Sequence, residues 1–231
     1  MLEIAKHAAP LRQQVEGALR QAIINGQFLP GQRLTERELT VSMGVSRTLL
    51  REAFRQLESE GLITVIPNRG PIVRELSKDE IQELYAIRAV LEGLAARTFA
   101  EKASDKNLQR LGRAVADAIA AYKAGDPAGA LKGKNRFYDI LAEGAGSQSL
   151  STMLSTLHAR IRQWRAIGIT HPQRSPGRSQ EAAEGMQAIW SAIQRRDAVA
   201  AESATRDEAR RGAAELMRLL ADVPAKLAAR A

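Results

Sequence analysis

The sequence has no cysteine among its 231 residues. That absence excludes a disulfide framework, thiolate metal sites and cysteine nucleophiles in one step. Aromatic residues make up only 4%, while alanine is abundant, a balance that suits helix packed on helix better than a sheet sandwich. Histidines are scarce too. His158 and His171 are isolated, with no serine, cysteine or glutamate partner at a telling spacing, so surface or capping roles are expected of them. Without a convergent acid–base or nucleophilic set the chain does not read as an enzyme. No stretch approaches the ~20 apolar residues of a membrane span, and the N-terminal MLEIAKHAAPLRQQ carries no apolar core of signal-peptide length. The expectation is a soluble, cytoplasmic chain with no membrane partner.

Acidic residues are in deficit. The formal net charge is +8 and the isoelectric point about 10.2, which points to an anionic partner. Residues up to Leu76 hold 10 basic and 8 acidic side chains, and the remainder 24 and 18. Bulk charge therefore does not pick out which half meets an anionic partner; position and spacing must do so.

Up to residue 76 the chain reads helix, helix, helix, hairpin. Val15, Leu19 and Ile23 recur at helical spacing and Asn25-Gly26 supplies a stop. Thr35 with Glu38 forms a capping-box pattern at the start of a short helix that Gly44 ends. Ser46 is a good N-cap for a third helix with an apolar face of Leu50, Ala53, Phe54 and Leu57, closed by Gly61. Leu62–Ile66 and Ile72-Val73 flank Pro67-Asn68-Arg69-Gly70 as a hairpin. Beyond Leu76 the strand signal disappears. Ser77 and Glu80 form another capping box, and six helices are predicted over 78–101, 105–123, 127–143, 148–167, 178–195 and 197–221. The fold class is thus mainly α: a winged helix-turn-helix over residues 1–76, a six-helix bundle over 77–223 and a disordered tail over 224–231.

A short helix, a glycine turn and a longer helix bring the start of the latter forward, where Ser46, Arg47, Thr48 and Arg51 can enter a major groove. Arg47 and Arg51 lie one turn apart on the same face, and an arginine so placed can donate two hydrogen bonds to guanine. Arg37 on the preceding helix can hold a phosphate, and the Arg69-Gly70 hairpin tip can reach backbone or minor groove. Taken singly, such arginines are more often the solvated face of an amphipathic helix; the order of caps, turn glycine, arginines and hairpin favours DNA.

Gly26, Pro30-Gly31, Leu34, Glu36 and Leu39, then Gly44-Val45-Ser46-Arg47-Thr48, Arg51-Glu52-Ala53, Leu57, Glu60-Gly61-Leu62, Arg69-Gly70 and Val73 resemble the N-terminal domain of GntR-family regulators. One departure is Leu49, where that family usually has proline. The later half is similar to the FCD effector domain of the FadR subfamily. This likeness is carried by Arg88-x-x-x-Glu92, by Phe137, Leu141-Ala142-Glu143 and Gly146, and by Ile189, Ile193 and Asp197-Ala198. Six helices suggest the VanR-like branch.

The resemblance implies a homodimeric DNA-binding regulator, its operator affinity set by a small organic-acid effector in the helical domain. Repression is the usual sense of the response, and activation is equally open. The family often holds a metal there through an Asp and three His; at those positions this chain has Lys134, Tyr138, Met186 and Glu208. None is a family ligand, so no metal or other cofactor is expected. An internal Lys134–Glu208 ion pair could replace the metal, or Lys134 could snorkel to solvent with Glu208 on an exposed face. Arg88, on an inward stripe with Ile81, Leu84, Tyr85, Leu91 and Ala95, suits a carboxylate or phosphate ligand, or else pairs with Glu92. Arg88, Lys134, Tyr138, Met186 and Glu208 are the candidate effector residues, with Trp164 as a further apolar wall. Arg160, Arg162, Arg165, Arg174 and Arg178 form a run with no acid between Glu143 and Glu181, most simply a solvated helix face. The rival reading is a dimeric regulator whose bundle has lost metal and effector sensing and serves dimerisation or a protein partner.

Overall fold

The computed structural model describes residues 9–24 and 26–221. Asn25 and the proposed tail at 224–231 lie outside them. The chain divides between Leu76 and Ser77 into two compact units.

In the first unit, α1 (Ala9–Ile24) buries Val15, Leu19 and Ile23, as their spacing requires. Helix α2 (Glu36–Met43) ends at Gly44, whose left-handed φ of 64° lets its N–H return to the Thr40 carbonyl. Thr35 has N-cap geometry but its side chain makes no capping hydrogen bond, so the expected Thr35–Glu38 box does not form. The two acidic side chains of the first turn still complement the helix dipole there. Helix α3 (Arg47–Ser59) buries Leu50, Ala53, Phe54 and Leu57. A two-pronged Arg20–Glu60 pair, at 2.8 and 2.6 Å, ties α1 to the end of α3.

Strands β1 (Ile63–Ile66) and β2 (Gly70–Val73) form an antiparallel wing with Ile63 opposite Val73 and Ile66 opposite Gly70. Its turn uses positive φ at Asn68 and Gly70. The chain before α2 covers the far edge of β2: Val73 N–H donates to Gln32 O at 2.9 Å and Leu34 N–H to Pro71 O at 2.8 Å. That edge is thereby closed to a foreign strand.

The second unit contains α4 (Lys78–Lys102), α5 (Asp105–Lys123), α6 (Pro127–Gly144), α7 (Gln148–Thr170), α8 (Arg178–Gln194) and α9 (Ala198–Ala221). Ser77 and Glu80 make the complete capping box expected of them. Ser104, Asp126 and Ser147 cap α5, α6 and α7. Helix α7 runs past the expected stop at 167 because Gly168 continues it and Ile169 is buried. Helix α4 packs chiefly on α9, and α5 on α6. Gly133 permits the latter approach: a Cβ there would lie 2.7 Å from Ala118 Cα.

Candidate nucleic-acid interface and buried charge network

The DNA candidates sit where local structure makes them available. Ser46 Oγ accepts from Leu49 N–H at 3.2 Å and fixes the start of α3. The departure at Leu49 thus supplies a cap donor that proline would lack. Ser46, Arg47, Thr48 and Arg51 are all exposed on the first turns of α3, Arg37 is exposed on α2, and Arg69 is exposed at the wing turn beside half-buried Gly70. Sequence reasoning missed Glu36. Its carboxylate accepts from Arg51 Nε at 2.9 and 3.1 Å, linking α2 to α3. The contact engages Nε and leaves the two terminal guanidinium nitrogens for a base edge.

In the second unit the effector candidates enter one buried polar network, with members that sequence reasoning assigned elsewhere. Lys134 Nζ donates to Glu208 Oε1 at 2.6 Å, both groups buried, so the expected ion pair forms and Lys134 does not snorkel. Arg178 reaches the same oxygen at 3.2 Å and Arg211 approaches Oε2 at 3.5 Å. Gly185 on α8 gives this carboxylate room, since a Cβ would stand 2.8 Å from Glu208 Oε2. Arg88 points inward, and its Nε donates to Glu92 at 2.9 Å. Both readings of Arg88, an inward guanidinium and a partner of Glu92, describe the same side chain.

Two corrections follow. His158 is not a surface or capping residue: it is buried with Nε2 2.8 Å from Glu92 Oε1. An ionised carboxylate only accepts, so Nε2 carries the hydrogen. His171 does cap, as the residue that ends α7, and its Nδ1 accepts from Gln173 N–H at 3.1 Å. The arginine run is not one solvated face either. Arg165 and Arg178 are buried, Arg165 donates to Asn135 at 2.7 Å and Glu92 at 3.2 Å, and Arg162 pairs with Asp139 at 3.0 Å. The acids that satisfy the run come from α4, α6 and α9, far away in sequence.

Tyr138 lies between two guanidinium groups, with Arg88 5.1 Å and Arg165 4.8 Å from its ring centre. Its buried hydroxyl has no hydrogen-bond partner among the described residues. Burial alone would push Glu92 up, but Arg88, His158 and Arg165 overcome it and hold the carboxyl at about 2. Burial pushes Lys134 down to about 8: Glu208 opposes the shift, and Arg88 and Arg178 add to it. Glu208 is itself lowered, because Lys134 and Arg178 outweigh its desolvation. The pair is lopsided: Glu208 gains from several cations, while Lys134 gains from one carboxylate and is repelled by two arginines.

A cavity of about 20 Å³ has five cations, Arg88, Lys134, Arg165, Arg174 and Arg178, and one carboxylate, Glu215, in its lining, with Tyr85 beside them. Met186 and Trp164 are buried but outside this lining, so the proposed apolar wall is not part of it. Tyr138 and Glu208 back the lining through their contacts with Arg88, Arg165 and Lys134. The residues at the family's metal positions do not fit a divalent cation. An ammonium already occupies the carboxylate, two guanidinium groups flank the tyrosine, and among the described residues no three His, Cys, Asp or Glu converge.

The profile for the gntR family of bacterial regulatory proteins matches residues 11–73, and that for the FCD domain matches residues 83–211. The chain is 29% identical over 167 residues to the uncharacterized HTH-type transcriptional regulator YdhC of Bacillus subtilis, covering 72% of this chain and 75% of that one. It is 27% identical to the HTH-type transcriptional repressor RspR of Escherichia coli over 195 residues, 84% of each chain. Among solved structures, E. coli McbR/YncC shares the fold with a TM-score of 0.79 at 22% identity, over 95% of this chain and all of that one. A putative GntR regulator from Rhodococcus gives 0.77 at 26% identity, over 93% and 100%. These relatives are transcriptional regulators and not enzymes. With a gntR-type helix-turn-helix followed by an FCD domain, the chain belongs to the GntR family of bacterial transcriptional regulators.

Proposed function

We propose that this regulator is a homodimeric, effector-responsive repressor that reads operator DNA in the cytoplasm through α3 and its wing. The observation that carries the reading is the exposed set Ser46, Arg47, Thr48 and Arg51 on the capped first turns of α3, with Arg51 held by Glu36. Arg47 and Arg51 contact bases, Ser46 and Thr48 the adjoining backbone or bases, Arg37 a phosphate, and Arg69-Gly70 the neighbouring groove. The repressor sense is supported by the name of RspR.

Self-association is supported by α4. Ile87, Val90 and Leu94 form an exposed apolar stripe on it, with Glu83 and Arg97 exposed one at each end, seven residues either side of Val90. An antiparallel pairing of two copies about Val90 would bury the apolar residues and bring each Glu83 to the other copy's Arg97. The helical domain takes a small organic acid in its cationic interior, and operator affinity changes by the difference in ligand affinity between two arrangements of the dimer.

The test is binding to a DNA fragment from upstream of the protein's own gene across a salt series, with wild type and the Arg47→Ala/Arg51→Ala double variant. Sequence-dependent binding that the variant loses supports the reading. Equal, weak binding by both, falling steeply with salt, is generic phosphate attraction and refutes it for that fragment.

A further inference from the structure

The interior of the helical domain carries more positive charge than its own carboxylates can match. Arg88, Lys134, Arg165 and Arg178 are all buried, at 5% exposure or less, and the carboxylates among them are Glu92 and Glu208. Glu215 also lines the cavity and is buried, but it is already engaged by Ser175 N–H and Oγ at 2.8 and 2.7 Å and by Arg218 at 3.0 Å. His158 adds no compensating charge. Buried cations lacking counter-charge are costly, and they are retained at low cost only where an anion completes them.

The donors left over belong to residues that line one cavity. Arg88 Nη2, Arg165 Nε, Arg174 Nε and Arg178 Nη1 are buried and make no hydrogen bond among the described residues, Arg178 Nη1 having only the exposed Glu181 carboxylate at 4.0 Å, and all four side chains line the same cavity. They come from α4, α7, the α7–α8 connection and the first turn of α8, so the array is built by tertiary packing and not by one helix face. Arg174 is its least buried member, anchored to the Gly168 and Arg178 carbonyls. Arg88 and Arg165 are additionally braced against Tyr138, which limits their movement.

We propose that this cavity is a metal-free oxyanion site that takes a compact dianion, held directly by Arg88, Arg165, Arg174 and Arg178. This rests on the reading of the helical domain as an effector domain and names the chemistry of its ligand. A dianion matches the excess of two buried positive charges, and its several oxygens match four unused donors. The cavity's 20 Å³ holds about one water, so a dianion enters only by displacing part of the lining, and the smallest dianions need the least displacement. The shared chemistry admits phosphate and short dicarboxylates alike.

The experiment is a calorimetric titration of the full-length, chelator-washed protein with inorganic phosphate and, separately, with malonate, at constant ionic strength with acetate and chloride as controls. Saturable 1:1 binding of phosphate, malonate or both, with none of acetate, is expected; which one binds identifies the source of the dianion. Two variants check the location. Arg174→Gln removes a donor at the accessible side and is expected to weaken binding at least tenfold. Gly212→Ala keeps every charge and favours α9, but its Cβ would stand 3.7 Å from Arg88 Nη1 in the lining. That is an ordinary contact distance, so the variant is expected to fold as well as wild type and, by narrowing the cavity, to bind more weakly than it. Arg162→Gln, outside the lining, removes an equal charge and is expected to change nothing.

No saturable binding of either dianion overturns the proposal, as does equal loss in Arg162→Gln. Binding that appears only after a divalent metal is added back overturns its metal-free part. Operator binding is measured on the same preparations without either anion. A protein that binds its operator yet no dianion thus refutes the site and spares the regulator reading.

Discussion

The lopsided Lys134–Glu208 pair makes a prediction with opposite signs at its two ends. Replacing Glu208 by Gln removes one of two carboxylates from an interior that already holds Arg88, Lys134, Arg165 and Arg178. Lys134 at 2.6 Å and Arg178 at 3.2 Å then face each other without the anion that joins them. Leaving buried charges uncompensated in this way costs about 3–5 kcal/mol. Replacing Lys134 by Met leaves Glu208 with Arg178 and with Arg211 at 3.5 Å, and it lowers the cation excess. Its cost is expected to be under about 1 kcal/mol, or negative, as for buried ion pairs exchanged for apolar side chains. The two tryptophans, Trp164 and Trp190, both lie in the helical unit. Urea unfolding followed by tryptophan fluorescence therefore reads that unit by itself, and the midpoint at constant slope gives the change.

A pH arm tests the same asymmetry. Burial pushes Lys134 down to about 8 in the folded chain, against an ordinary 10.5. Between those values the unfolded chain binds more protons, so wild-type stability rises with pH across this window. Lys134→Met is expected to lack the rise. Equal losses in the two variants, or a wild-type stability that falls from pH 8 to 10, would refute the cation excess.

Acid gives the complementary limb. Glu92 is held at about 2 against 4.5 unfolded. Its stabilising share, about 3 kcal/mol as an upper figure, is present above pH 4.5 and lost as pH falls toward 2; Glu92→Gln is expected to start less stable and show a shallower limb by the same fluorescence assay. Glu36→Gln releases Arg51 and removes an acid from the DNA face. Non-specific affinity should rise severalfold while the ratio of operator to random-sequence affinity falls, and an unchanged ratio in a competition titration would show that Glu36 does not position Arg51. Val90→Glu places like charges at the centre of the proposed α4 pairing; light scattering is expected to give a monomer, and an intact dimer would move the interface elsewhere.

What could be read in advance was local. Ser46, Ser77 and Gly44 act on neighbours three or four residues away, so the caps, the six helices and the wing were legible from spacing. Thr35 fitted the same pattern and failed, because the pattern records a possible hydrogen bond and not the side-chain rotamer that makes it. The buried network was legible only in part. Lys134–Glu208 followed from the paired exchange at two family positions, and Arg88–Glu92 from helical spacing. Glu92 also collects His158 and Arg165 from 66 and 73 residues away. No local signal distinguishes an arginine whose acid lies across the bundle from one that faces water, and so the run from Arg160 to Arg178 resembled a solvated face.

That network bears on the rival reading, a helical domain kept for dimerisation after sensing was lost. A domain needing only to fold and pair gains nothing from Lys134, Arg88, Arg165 and Arg178 in its interior, since apolar residues of similar volume are as stable there or more so. Nor does it need guanidinium nitrogens buried without partners, each of which forgoes hydration. The cost is borne in the empty state and is relieved by any anion that completes the array. This is the condition for a ligand to shift an equilibrium: it must favour one state by more than the other. An interior optimised for stability alone would be neutral and apolar, whereas one poised to respond keeps an unfilled charge. The surplus cations therefore favour sensing over scaffold.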